Sequence, residues 1–356
     1  MDDSRSARPV TMKDLALRLG LSQGSVSKAL RDFSSIPLAT RQRVQAVARE
    51  MGYRPNPMGT GLAQFKRTFK STPIQAALGW INAWPDPKQL RAFRDFDLYW
   101  EGATRAAQKF GYRLEEFRID GSISPHRLQK ILLARNIRGI LIPPHGRDRD
   151  TGVSFFDHSA FDWDEFSVVR FGHSIDLRVH SVASDQTANG MMAFNKILER
   201  GYERIAYVGP AHQGRFFGAG FLWAQGRLPE ELRLPLLLFP ERFDEKDPKM
   251  QRMVTAWLKK TKPDAIFHDF PPFPHLLGKA AYRVPEDIGM ASTTIFESDK
   301  PVIDAGLDQN SEEIGRVAVL VLLSQINDNA RGIPPISRQI LVQGRWVDGA
   351  SLPRRA

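Results

Sequence analysis

Gly20-Leu21-Ser22-Gln23-Gly24 matches, letter for letter, the Gly-x-Ser-x-Gly elbow that presents a nucleophilic serine. That chemistry needs a strand before the serine and a helix after it. Here the residues before it carry apolar side chains at helical spacing, so no catalytic role is assigned to Ser22. Of the eight histidines, His268 beside Asp269 adjoins a carboxylate at what reads as a strand end, but no third or fourth ligand accompanies it. No Gly-x-Gly-x-x-Gly follows a strand, and neither a phosphate loop nor His-Glu-x-x-His is present. An enzyme, a metal centre and a cofactor are all unexpected.

The same serine has a different use. Thr11 with Asp14 three residues on forms a helix-start signature, and that helix ends at Gly20. Leu15, Ala16 and Leu19 share a face that Leu21, Val26, Ala29 and Leu30 continue after a tight break, with Ser22 capping a second helix. Two short helices joined by a glycine turn are a helix-turn-helix. The outward side of the second carries Gln23, Gly24, Ser25, Ser27, Lys28 and Arg31, small, polar or basic groups suited to base edges and phosphates. Gln23 suits an adenine edge and Lys28 a guanine edge, while Gly24 adds no side chain. Ser22 doubles as a phosphate contact, and Thr11, Ser25, Ser27, Arg31, Thr40 and Tyr53 would fix register on the backbone. A third helix, from Leu38 to Met51, repeats Val44, Val47, Ala48 and Met51 and closes a small core.

Charge agrees with this placement. The 356 residues carry a net +10, and up to residue 70 there are 13 Lys or Arg against 5 Asp or Glu. The basic excess therefore sits in the head, where a polyanionic partner fits. No cysteine is present, no apolar run reaches membrane-spanning length, and MDDSRSARPV lacks a signal peptide's apolar core. Cytoplasm is the expected compartment.

Beyond residue 72 strands and helices alternate: IQAALGWIN, a helix over 97–110, YRLEEFRID, a helix over 125–135, then RGILIPP and SVVRFGH. Such βαβ alternation implies parallel sheets with helices on both faces. A second such run follows from Gly201. The expected division is a head over 1–55, a linker over 56–71 and a larger α/β body over 72–356.

VTMKDLALRLGLSQGSVSKAL and TRQRVQAVAREMGYRPN, with Leu62-Ala63 beyond, resemble the headpiece and hinge of the lactose/galactose repressor (LacI/GalR) family. The resemblance extends over nearly the whole chain, most weakly over 84–96 and 145–165, and ILVQGRWVDGASL looks like the family's single closing strand. It implies an α-helical headpiece with a hinge over 56–71, followed over 72–356 by a two-lobed effector-binding and dimerisation domain, an α/β, periplasmic-binding-protein-like pair of lobes around a cleft. It also implies a homodimer on a pseudo-palindromic operator, repression, and control by a carbohydrate-like effector. Asn56, Leu62 and Ala63 fall on hinge positions, Leu62 on a leucine pushed into the minor groove. Gly59 and Gly61 depart from that pattern, since each costs a helix about 1 kcal/mol relative to alanine. A permanently flexible linker is the alternative.

For the cleft, the resemblance places Asp269 on a ligand-binding aspartate and Asp185 on the start of an inter-lobe crossing, where a helix cap is an equal reading. Asn82 and Trp84 end the first strand on the cleft wall. Phe217 stands where the family has an effector-gripping arginine, and Arg170, followed by Phe171, where some members have an aspartate. Either Arg170 holds an oxygen-rich group while Phe171 and Phe217 stack on a ring, or Arg170 pairs with Asp185 or another acid and ligand control has been lost. A solute-binding or sugar-processing protein with a basic head is the reading from another class.

Overall fold

The computed structural model describes residues 10–33, 35–53, 76–119, 123–146, 154, 157–211, 215–240, 247–295 and 303–355. The head is three helices, α1 (Met12–Leu19), α2 (Gln23–Leu30) and α3 (Leu38–Glu50). Thr11 and Asp14 make the reciprocal cap, the Thr11 hydroxyl accepting from the Asp14 N–H (3.3 Å) and the Thr11 N–H donating to Asp14 Oδ2 (2.8 Å). Gly20 closes α1 at φ +67°, a left-handed turn that a side chain would strain.

Leu15, Val26, Ala29 and Val44 are fully buried where the three helices meet, with Ala16, Leu19 and Ala48 nearly so. Arg43 of α3 donates to the Leu19 carbonyl (2.9 Å), satisfying one of α1's free C-terminal acceptors. This core is small, so its caps matter. Thr11→Ala should cost about 1 kcal/mol of head stability, read as a lower melting point of the head. No change would place the cap's contribution elsewhere.

The body is two six-stranded sheets. The first runs β11-β5-β4-β3-β1-β2, all parallel, with β1 at Ala76–Asn82, β2 at Tyr112–Arg118, β3 at Gly139–Ile142, β4 at Ser167–Phe171, β5 at His180–Ser184 and β11 at Gln339–Val342. The second runs β12-β10-β9-β8-β6-β7, with β6 at Ile205–Pro210, β7 at Leu237–Phe239, β8 at Ala265–His268, β9 at Gly289–Ser292, β10 at Gly306–Asp308 and β12 at Arg345–Val347. β12 alone in that order pairs antiparallel.

The chain changes lobe three times, after β5, after β10 and after β11. Hydrogen bonds tie these crossings together. Asn189 donates to Ser184 Oγ (3.0 Å) and accepts from the Gly344 N–H (2.9 Å), Asn310 Nδ2 donates to the Gln343 carbonyl (2.8 Å), and the Asp185 N–H to the Val342 carbonyl (2.8 Å). The expected single closing strand is thus two, β11 in one lobe and β12 in the other, parted at Gly344. A Cβ there would stand 2.8 Å from the Asp308 carbonyl oxygen, so a side chain is excluded at the crossing.

Each lobe pairs two helices at a glycine contact: Arg94–Lys109 with Ser311–Asn327 in the first, Gln186–Leu198 with Arg215–Gln225 in the second. Among the described residues no helix is long and apolar enough to cross a membrane.

Candidate functional site

On the head, α2 presents Gln23, Gly24, Lys28 and Arg31 to solvent, with Ser25 and Ser27 partly covered. Ser22 caps the helix, its hydroxyl accepting from the Ser25 N–H (3.0 Å), and so sits at the positive end of the helix dipole, where a phosphate is favoured. Arg31 is braced by Ser27, Nη2 donating to Ser27 Oγ (3.0 Å), and its guanidinium lies 5.2 Å from the Phe33 ring. Thr11, Thr40 and Tyr53 are half-buried. Burial raises the Tyr53 hydroxyl above its ordinary value, so it stays a neutral donor. Asn56, Leu62 and Ala63 lie outside the described residues.

In the body, a cavity of ≈ 300 Å³ opens where the lobes meet. One wall is aromatic. Trp84 lies 5.8 Å from Phe93, Phe93 5.2 Å from Phe96, and Phe96 5.8 Å from Tyr99, ring centre to ring centre. The Trp84 indole N–H donates to the Pro144 carbonyl (3.0 Å), which fixes the ring against the wall. His145 accepts from the Ala83 N–H (3.0 Å) at Nε2, and burial pushes its pKa down to about 3, so it is a neutral brace. His173, Ser174, Ser184, Gln186 and Arg215 complete the polar side chains of the lining.

Of the residues singled out for the cleft, Trp84 lines this cavity and six do not. Asn82 is buried, its amide donating to the Pro87 carbonyl and Glu116 and accepting from the Trp84 N–H, so it shapes the turn that aims Trp84. Phe171 is buried in the first lobe, stacked on Tyr99 (5.2 Å, 12°). Phe217 is buried in the second, edge-on to Phe267. Neither ring can stack on a ligand from there.

Arg170 turns its guanidinium to backbone carbonyls, donating from Nε to Leu177 (3.1 Å) and from Nη1 to Gly172. Its pKa is lowered by burial, partly opposed by Asp176. It clamps the loop after β4, so neither the direct ligand grip nor the Asp185 pairing describes it. Asp185 caps the Gln186–Leu198 helix, Oδ1 accepting from the Ala188 N–H (3.0 Å).

Asp269 belongs to a second polar cluster. It accepts from Thr293 Oγ1 (2.7 Å), and burial, opposed by that bond and reinforced by the charge of Asp95, pushes it up to about 7. Asp95 begins the Arg94–Lys109 helix of the first lobe and accepts from Ser311 Oγ and from Thr294 Oγ1 (3.2 Å). Burial outweighs those bonds and raises it to about 6. Gln309 joins the two ends, Nε2 donating to Thr294 Oγ1 (2.8 Å) and to the Thr293 carbonyl (3.1 Å). Of these two carboxyls, Asp95 bonds across the lobes, to Thr294, while Asp269 bonds to Thr293 within the second lobe.

The sequence reading missed Phe93, Phe96, Tyr99, His145, His173, Gln186 and Arg215 as cavity residues. Phe93 and Phe96 both sit in the 84–96 stretch of weak resemblance. Arg215 stands two residues before Phe217, the position where the resemblance leads one to look for a cation. Among the described residues no group of three or more His, Cys, Asp or Glu is placed to hold a metal.

The family described as "Bacterial regulatory proteins, lacI family" matches residues 11–56. The HTH-type transcriptional repressor CytR of Escherichia coli K12 is 44% identical over 59 residues, 17% of either chain. This chain thus matches less than a fifth of the length of that relative. The HTH-type transcriptional regulator MalR of Streptococcus pneumoniae is 22% identical over 94% of this chain and 98% of its own.

In fold, a transcriptional regulator CelR–cellobiose complex matches with a TM-score of 0.55 at 18% identity, covering 97% of this chain and all of that one. The Lac repressor dimer bound to operator and an anti-inducer matches at 0.53 and 17%, with the same coverage. The helix-turn-helix head on a two-lobed, periplasmic-binding-protein-like body is the architecture of these proteins, which are regulators rather than enzymes. The head over residues 11–56 thus matches the lacI family of bacterial regulatory proteins, and the body joined to it has the two-lobed fold of the Lac repressor.

Proposed function

We propose that this protein is a transcriptional repressor that binds operator DNA through the head as a dimer, governed by a small carbohydrate-like effector between its lobes. The outward side of α2 carries the reading. A fully packed three-helix unit leaves Gln23, Lys28 and Arg31 exposed on the helix that a major groove accepts, with Ser22 capping its N-terminus. Lys28 and Gln23 would read bases. Thr11, Ser22, Ser25, Ser27, Arg31, Thr40 and Tyr53 would hold phosphates, and Asn56, Leu62 and Ala63 of the 56–71 hinge would enter the minor groove. Two heads would read the half-sites of a pseudo-palindrome.

Control follows from linkage, since a ligand that prefers one arrangement of the lobes shifts the spacing of two heads. Support for a sugar-like ligand comes from the aromatic wall of the cavity and from cellobiose in the CelR complex.

Selection of bound DNA from a random pool tests the reading directly, with enrichment of one two-fold symmetric sequence as the expected result. On that sequence Lys28→Ala should lose about 1–3 kcal/mol and relax preference at one base pair. A loss uniform over all sequences would move Lys28 to a phosphate. A pool that enriches nothing ends the proposal.

A further inference from the structure

We propose that Gln186 is the residue through which a bound effector acts on the second lobe, its side-chain oxygen accepting a hydrogen bond from a hydroxyl of a ligand ring laid on the aromatic wall. The inference rests on the reading of the cavity as an effector site and adds the atom that couples the lobes. The described lining is divided unequally. Trp84, Phe93, Phe96 and Tyr99, the turns after β3 and β4 and the end of β5 belong to the first lobe, while Gln186 and Arg215 come from the second. A ligand resting on the rings therefore meets the second lobe at these two side chains. Arg215 already has the Phe216 ring 4.5 Å from its guanidinium and a further interaction besides. Gln186 Oε1 is buried and meets no hydrogen-bond partner among the described residues. A buried acceptor left in that state is unfavourable, and a donor from the ligand relieves it.

The place of Gln186 in the chain makes that bond act on the crossings. It is the first residue of the Gln186–Leu198 helix, next to Asp185, whose N–H donates to the Val342 carbonyl (2.8 Å). Three residues on, Asn189 donates to Ser184 (3.0 Å) and accepts from the Gly344 N–H (2.9 Å). Gly190 and Gly220 set this helix main chain to main chain against Arg215–Gln225, so a displacement of Gln186 moves the pair as one body. Ser174 and Ser184 also line the cavity, but they already accept from the His145 N–H (3.1 Å) and from Asn189, and both lie in the first lobe. A ligand shifts two arrangements only through contacts that differ between them. Stacking on Trp84, Phe93 and Phe96 stays within one lobe, whereas a bond to Gln186 spans both.

Calorimetry on the full chain with ribose, glucose, galactose, maltose and cellobiose finds a sugar that binds, and its monodeoxy analogues then remove one hydroxyl at a time. One analogue should bind wild type about tenfold more weakly than the parent sugar, about 1.4 kcal/mol. Gln186→Leu should bind parent and analogue alike, and Gln186→Glu, which keeps an acceptor there, should retain the preference. Coupling is read separately, as the factor by which saturating sugar changes affinity for the selected operator sequence. That factor should be about fivefold or more in wild type and approach one in Gln186→Leu, even at sugar concentrations that fill the variant. Thermal melts establish that the variants fold, and Gln186→Ala takes the place of the leucine variant if that side chain does not fit.

A saturated Gln186→Leu protein that shifts operator affinity as wild type does overturns the inference, and so does a wild type that binds sugar with no change in operator affinity. A hydroxyl preference that persists undiminished in Gln186→Leu removes the ligand bond from this residue. The hydroxyl comparison needs no DNA, so it decides that part whether or not an operator is found. Binding of none of these sugars sinks the effector reading and the inference with it, whereas sugar binding with an unaltered Gln186→Leu response sinks the inference alone.

Discussion

Gly220→Ala is expected to destabilise the folded protein by about 3 kcal/mol or more, the largest effect foreseen for a change of one methyl group. A Cβ at this position would stand well under 3.0 Å from the Thr187 carbonyl oxygen, and one at Gly190 equally close to the Phe217 carbonyl. Each glycine receives the backbone of the other's helix, so Gln186–Leu198 and Arg215–Gln225 touch main chain to main chain. Neither partner is a flexible side chain that could swing away. The helices must separate, and buried Ala193, Phe194, Phe217 and Phe221 lose packing with them.

The first lobe repeats the device, with Gly102 against the Glu312 carbonyl and Gly315 against that of Tyr99. Gly278 is the control, a helical glycine whose Cβ would meet nothing within 4 Å, where alanine should be neutral or slightly stabilising. Thermal unfolding of the variants decides the matter. A Gly220→Ala protein that melts like Gly278→Ala would show that the crossing can open without cost. The site feels the same change, because Gln186 and Arg215 begin those two helices and both line the cavity.

The second large effect is a pH dependence lodged between the lobes. Asp269 is raised to about 7 and Asp95 to about 6, mainly by burial, from ordinary values near 4. Between pH 4 and 7 the folded protein therefore holds protons that the unfolded chain releases. Stability from this source is present in full below pH 4 and is lost as pH rises through 6 to 7. Each tenfold gain in proton affinity on folding is worth about 1.4 kcal/mol, so for Asp269 the full change is on the order of 4 kcal/mol.

Asp269→Asn cannot ionise and should lack this part of the slope. Its stability relative to wild type should rise by on the order of 3 kcal/mol between pH 4.5 and 7.5. A constant difference across that range would mean that the carboxyl ionises freely in the folded state. Because Asp95 takes a bond from Thr294 of the other lobe, the same titration should alter how firmly the lobes are held together.

The head is legible in the amino-acid sequence by itself because its determinants are local. The Thr11–Asp14 cap, the Gly20 turn, the Ser22 cap and the spacing of Leu15, Leu19, Val26, Ala29 and Val44 each act within one or two helical turns, and each is found as read. The alternation of strand and helix is legible for the same reason, and it carries the two-lobed fold. Tertiary structure alone decided which lobe each closing strand joins, since β11 and β12 are contiguous in the chain and differ only in the sheet edge that accepts them.

It also decided which way the cleft residues face. Two residues along a helix rotate the side chain by about 200°, so Phe217 enters the core while Arg215 reaches the cavity. Along β4, Phe171 packs inward and Arg170 reaches the loop carbonyls that β4 leaves nearby. Residue types set what chemistry this chain has available. Packing of helix against sheet, a sum over contacts distant in sequence, set where that chemistry points.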